Sequence, residues 1–129
     1  AVWMKRDAIF THRRAPSPPP PPQYITLEER TLNLADTGTL RYLKIKVTIE
    51  VIGKVQKEKG EQFEKIAEER NPQFMDCLID TFSRFGFQAL LTVDGKKAAK
   101  ERLIGGFQQS LDGTGFTVRN VYFSDFIME

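Results

Sequence analysis

At 129 residues and 40% hydrophobic composition, the chain is long enough for one small domain with a modest core and too short for two. Its net charge of +2 is unevenly placed: Lys5, Arg6, Arg13 and Arg14 against Asp7 give the first fourteen residues three surplus positive charges, and the rest has one surplus negative charge. That balance excludes a broad basic face of the kind that binds nucleic acid, and no run approaches the roughly 18 apolar residues of a membrane helix.

Residues 1–23 read as a basic, proline-rich linker. Pro16 and the run Pro18 to Pro22 favour extended polyproline II, a short stiff spacer. A ligand for an SH3-like domain is the competing reading of that run. The apolar stretch near the start is too short for a secretory signal.

Tyr24 to Leu34 alternates through Ile25 and Leu27 and resumes at Leu32 and Leu34, so a strand with an irregularity near Glu28–Arg30 is expected. Ala35-Asp36-Thr37-Gly38-Thr39 is turn chemistry. The clearest periodicity follows. Leu43, Ile45, Val47, Ile49 and Val51 fall on one face of a strand, and Tyr42, Lys44, Lys46, Thr48 and Glu50 on the other, which is expected to be wet. The two strands form an antiparallel hairpin.

The period then changes toward 3.6. A surface helix is expected over 55–70, with Phe63, Ile66 and Ala67 as its stripe and Glu61–Lys65 as an i, i+4 pair. Asn71-Pro72 has the chemistry of an N-cap and an N1 proline, so a second helix is expected from there, carrying Phe74, Leu78, Phe82 and Phe85 and closed by Gly86 in the left-handed region. Phe87 to Val93 fits either a short strand or a helix entry. Asp94 is expected to cap a third helix with Ala99, Leu103, Phe107 and Leu111 on one stripe and Ile104 beside it, ended by Gly113 and Gly115.

Residues 117–129 are rich in β-branched and aromatic side chains and read as a closing strand. Its apolar residues fall in pairs, Phe116 and Val118, Val121 and Phe123, Phe126 and Met128, each out of phase with the last. Such a strand either carries bulges or is buried on both faces, and a chain that ends on it is expected to set it deep in a sheet. The order β-β-α-α-(β)-α-β defines an α+β fold, a small antiparallel or mixed sheet with helices on one face.

Chemistry is sparse. There is no Walker loop, dinucleotide fingerprint, CxxC pair or HExxH. Cys77 lies among Phe74, Leu78 and Ile79 and reads as a buried thiol; the one histidine, His12, sits in the linker. Asp76 and Asp80, at i, i+4, could pair as acids or hold a cation, but solvated helix residues explain them as well. Gly105-Gly106 reads as tight helix packing, and Lys96, Lys97, Lys100 and Arg102 as a basic helix start facing water. No catalytic, cofactor-binding or metal-ligating set can be assembled, and no partner-contacting residue can be singled out; Phe85, Phe87 and Tyr122 are read as core.

An ordered set of short motifs resembles the periplasmic domain of the flagellar basal-body-associated FliL family. It comprises Leu27 with Leu32-Asn33-Leu34, Arg41-Tyr42-Leu43-Lys44-Ile45, Asn71-Pro72 with Asp76, Leu91-Thr92-Val93-Asp94-Gly95-Lys96, and Val118 through Phe126. The set spans residues 24–129. Glu129, where the family commonly ends in glutamine, and Gly60, inside the first helix, depart from the pattern. The resemblance implies a stomatin-like domain core and a non-enzymatic flagellar motor accessory protein without cofactor. Its implied partners are the stator units, motor proteins A and B, and further copies of itself in a ring, with neither nucleic acid nor a small-molecule substrate. It also implies a single N-terminal membrane span ahead of residues 1–23, which places residues 24–129 in the periplasm at the basal body. A general stomatin-like membrane scaffold is the alternative.

Overall fold

The computed structural model describes residues 21–53 and 59–129. The basic arm, most of the polyproline run and the Glu61 partner of Lys65 lie outside what is described. In chain order the elements are β1 (Gln23–Thr26), β2 (Arg30–Asn33), β3 (Tyr42–Gly53), α1 (Lys59–Phe82), α2 (Phe87–Leu90), α3 (Val93–Ser110) and β4 (Phe116–Met128). Among the described residues the fold is α+β, a small open antiparallel sheet with three helices.

The long strand β3 is the centre of the sheet. On one edge it pairs with β1 (Ile25 opposite Ile49) and then with β2 (Leu32 opposite Leu43). The chain between them, Leu27 to Glu29, is the expected irregularity, and it turns Leu27 into the core. On the other edge β3 pairs along its whole length with β4. The alternation in β3 holds: Leu43, Ile45, Val47, Ile49 and Val51 are all fully buried.

The out-of-phase pairs of β4 resolve as bulges. The register against β3 shifts between Lys46 and Val47 and again between Glu50 and Val51. Ser124 and Arg119 are the extra residues, and each shift returns the next apolar pair to the core face. Contrary to the expectation of a deep strand, β4 lies at an edge; among the described residues it pairs with β3 alone.

The two helices expected over 55–70 and from Asn71 are one. α1 runs straight through Pro72. That proline leaves the Glu68 carbonyl without its usual donor, a cost of about 3 kcal/mol. Phe63, Ala67, Phe74, Leu78 and Phe82 nevertheless lie on one continuous stripe against the sheet, and ending the helix would expose half of it. Arg70 Nη1 adds a bond to the Ser110 carbonyl at the end of α3 (3.1 Å).

The ambiguous segment after Phe85 is the short helix α2, and the chain has no strand there. Gly86 has φ of −92° and opens α2 instead of closing α1 in the left-handed region. Asp36 pins this corner by accepting the Phe87 N–H at 2.8 Å. The cap of α3 is Thr92, whose hydroxyl accepts from Gly95 N–H at 2.9 Å; Asp94 sits in the first turn. Ala99, Leu103, Phe107 and Leu111 are buried as expected. Phe74 meets Phe107 edge to face at 5.6 Å, and Phe82 lies within 6.5 Å of the rings of Phe85, Phe123 and Phe126. The aromatic residues thus join α1, α3 and β4 in one core.

Candidate functional site

The sequence candidates separate in space. Cys77 faces α3, where a Cβ on Gly106 would run into its sulfur. Gly106 is therefore a close-packing residue, as expected for the glycine pair, while Gly105 has open space. Burial raises the Cys77 thiol above its usual range, more than the Thr81 hydrogen bond lowers it. Such a thiol stays protonated at neutral pH and is a poor nucleophile.

Asp76 and Asp80 flank an open groove between α1 and α3, lined also by Cys77, Gln109 and Ser110. Asp80 is committed to Arg84, one turn on, through paired contacts of 3.3 and 3.4 Å. Among the described residues no cluster of three or more His, Cys, Asp or Glu could hold a metal ion.

The basic start of α3 is more ordered than a solvated face. Lys96 Nζ lies 5.5 Å from the centre of the Phe126 ring, and Lys100 Nζ lies 5.0 Å from that of Phe123. Both ammonium groups sit against the electron-rich ring faces of β4. Lys97 and Arg102 are exposed.

The helices cover one face of the sheet, and among the described residues nothing covers the other. Tyr24, Tyr42, Tyr122 and Ile127 are exposed there, so Tyr122 is not core, whereas Phe85 and Phe87 do pack against the core. The Arg119 and Ser124 bulges put Tyr122 on the same face as Thr48 and Glu50. Glu50 was expected to face water, yet only 6% of it is accessible. The Tyr122 hydroxyl donates to Glu50 Oε1, and Arg119 Nε lies 3.6 Å from Glu50 Oε2. The carboxylate raises the Tyr122 phenol above its ordinary range, chiefly through that hydrogen bond. Period-two patterning could not reveal this cluster, because it depends on a bulge bringing Arg119 and Tyr122 to one neighbour across the strands.

Apolar side chains also gather at one end of the sheet. Leu40, in the turn into β3, Leu91, between α2 and α3, and Val93, the first residue of α3, are 76%, 52% and 79% exposed. Arg41 Cζ lies 4.2 Å from the centre of the Phe87 ring and ties the turn before β3 to α2. The start of β1 is at the other end, with Gln23 opposite Val51.

These features define a small α+β module whose described surface offers a bare sheet face, an apolar end and a strand edge for contact with other molecules. Residues 24–128 match the profile of the flagellar basal body-associated protein FliL, and the chain belongs to that family. It is a flagellar motor accessory protein of the basal body, in a family not known for enzymatic activity. No curated protein matches the chain.

Proposed function

We propose that this protein supports the stator units of the flagellar motor, with copies held side by side as a collar around the periplasmic part of each stator. The family match over residues 24–128 carries this reading. In it, a single membrane span precedes the basic arm, residues 18–22 act as a rigid spacer, and the domain stands in the periplasm above the bilayer.

The geometry is compatible with a tether at the N-terminus. The chain enters the domain beside Val51, whereas the exposed Leu40 precedes the other end of β3, where Arg41 over the Phe87 ring brings α2 alongside. At roughly 3.3 Å per residue, the length of β3 separates the two ends by about 35–40 Å. The apolar end then faces away from the membrane, toward whatever the stator presents. Confinement to a membrane plane raises the effective concentration of neighbouring copies, so a weak lateral interface suffices.

The deciding experiment is crosslinking in cells from a photoreactive residue at position 91 or 93 of the full-length protein. Capture of a stator protein is the expected result, and capture of unrelated membrane proteins alone would favour the general scaffold. Deleting Pro18 to Pro22 is expected to reduce swimming while the domain stays folded; full swimming would remove the spacer role.

A further inference from the structure

The outer edge of β4 consists of two unlike halves. Tyr42 and Glu129 exchange both backbone hydrogen bonds at 2.9 Å, which sets the phase of the β3–β4 ladder. Antiparallel alternation then turns the N–H and C=O groups of Met128 and Phe126 away from β3. In the first half, the Val121 N–H is also turned outward, onto its neighbour Asn120 Oδ1 at 2.8 Å, so Phe123, two residues on, shares that direction.

The first half of this edge is closed by side chains. Val118 N–H goes to Gln108 Oε1 at 2.7 Å, and Gln108 Nε2 donates to the Phe116 carbonyl at 3.4 Å. Thr114 Oγ1 accepts from Phe116 N–H at 3.2 Å. In the second half, no group among the described residues takes the outward N–H of Phe123, Phe126 or Met128.

We infer that the open half of this edge, from Phe123 to Met128, is a strand-addition site for an extended acidic segment of a partner protein. A strand added here has side chains alternating between two flanks. On the α3 flank they meet the ammonium groups of Lys96 and Lys100, which lie over the rings of the edge residues themselves. On the bare-face flank they meet Ile127, which is half exposed. Acidic residues alternating with apolar ones satisfy both flanks, while backbone pairing supplies the direction. The same lysines disfavour pairing of two copies through this edge, since each would bring its own positive charge to the seam. This inference goes beyond the stator reading and does not rest on it.

The test titrates the full chain with a short fluorescent peptide of alternating Glu and Val, followed by anisotropy and amide hydrogen exchange. Saturable binding is expected, with new protection at Phe126 and Met128 and none at Val118 or Val121. The Lys96→Glu, Lys100→Glu double variant is expected to weaken binding about tenfold, the scale of a few charge contacts. Met128→Pro removes one outward N–H without touching the ladder to β3, and a similar loss is expected. Should that variant fail to fold, the lysine variant and the exchange pattern decide. A Glu–Val peptide that does not bind overturns the inference, as does a Lys–Val peptide that binds equally well or binding that both variants leave unchanged. Self-association abolished by Met128→Pro would make a second copy the occupant and overturn it too.

Discussion

The two faces of β3 come from one strand and one alternating pattern, yet they carry different kinds of energy. The covered face buries five aliphatic side chains against a layer of phenyl rings and holds no charge. Among the described residues no layer lies over the bare face, which still contains a carboxylate as inaccessible as many core residues, enclosed by Tyr122 and Arg119 from the neighbouring strand. Burial on the first face comes from whole elements packing together. On the second it comes from side chains of the neighbouring strand in contact with the carboxylate, so it is local and polar. The covered face should therefore set global stability, and the bare face and edges should set what the protein responds to.

The largest expected effect is on the covered face. Phe82 is fully buried and touches the Phe85, Phe123 and Phe126 rings. Phe82→Ala is expected to cost about 3–5 kcal/mol, the usual range for a buried phenylalanine. Urea unfolding would check it; a loss below about 1 kcal/mol would mean that the two faces are not energetically distinct.

Next is Gln108, which links α3 to the closed half of the β4 edge. Gln108→Ala removes the partner of Val118 N–H and one bond to the Phe116 carbonyl and is expected to cost about 1–2 kcal/mol. Faster exchange at Val118 with Phe126 unchanged would sharpen the contrast between the two halves of that edge.

Arg119→Ala leaves Glu50 with Tyr122 as its remaining side-chain partner among the described residues. Because Arg119 is 57% exposed, screening limits its share, and a loss of about 0.5–1 kcal/mol is expected. High salt should erase most of the difference between variant and parent.

The smallest effect concerns pH. The Tyr122 phenol is held above its usual range because it donates to Glu50. Folding thus favours its neutral form. That stabilisation is fully present below the unfolded tyrosine value of about 10 and is lost as pH rises through the higher folded value. Stability should fall on the alkaline side, and Tyr122→Phe should flatten that limb. An unchanged slope would show that the phenol and the carboxylate are not coupled.

Much of this could be read from residue order. The β3 alternation was legible because one face of that strand is dry and the other bare. The paired residues of β4 already required bulges or burial on both faces, and the α3 stripe from Ala99 to Leu111 needed only period 3.6. Asn71-Pro72 misled because cap chemistry is local, while the apolar stripe running from Phe63 to Phe82 rewards an unbroken helix. Asp94 misled in the same way, since Thr92 offers a hydroxyl at the right place one turn before Gly95. The family's motif order carried the flagellar assignment, which no single residue could have done.

Periodicity and turn chemistry, which act over a few neighbours, were enough for the element types, the core-facing residues and the α+β class. The choice between bulges and burial in β4, the edge position of that strand, the enclosure of Glu50 and the half-open backbone from Phe123 to Met128 emerged only on assembly. Each depends on which strand lies alongside which and in what register, and those pairings join residues far apart in the chain whose contact no local preference encodes.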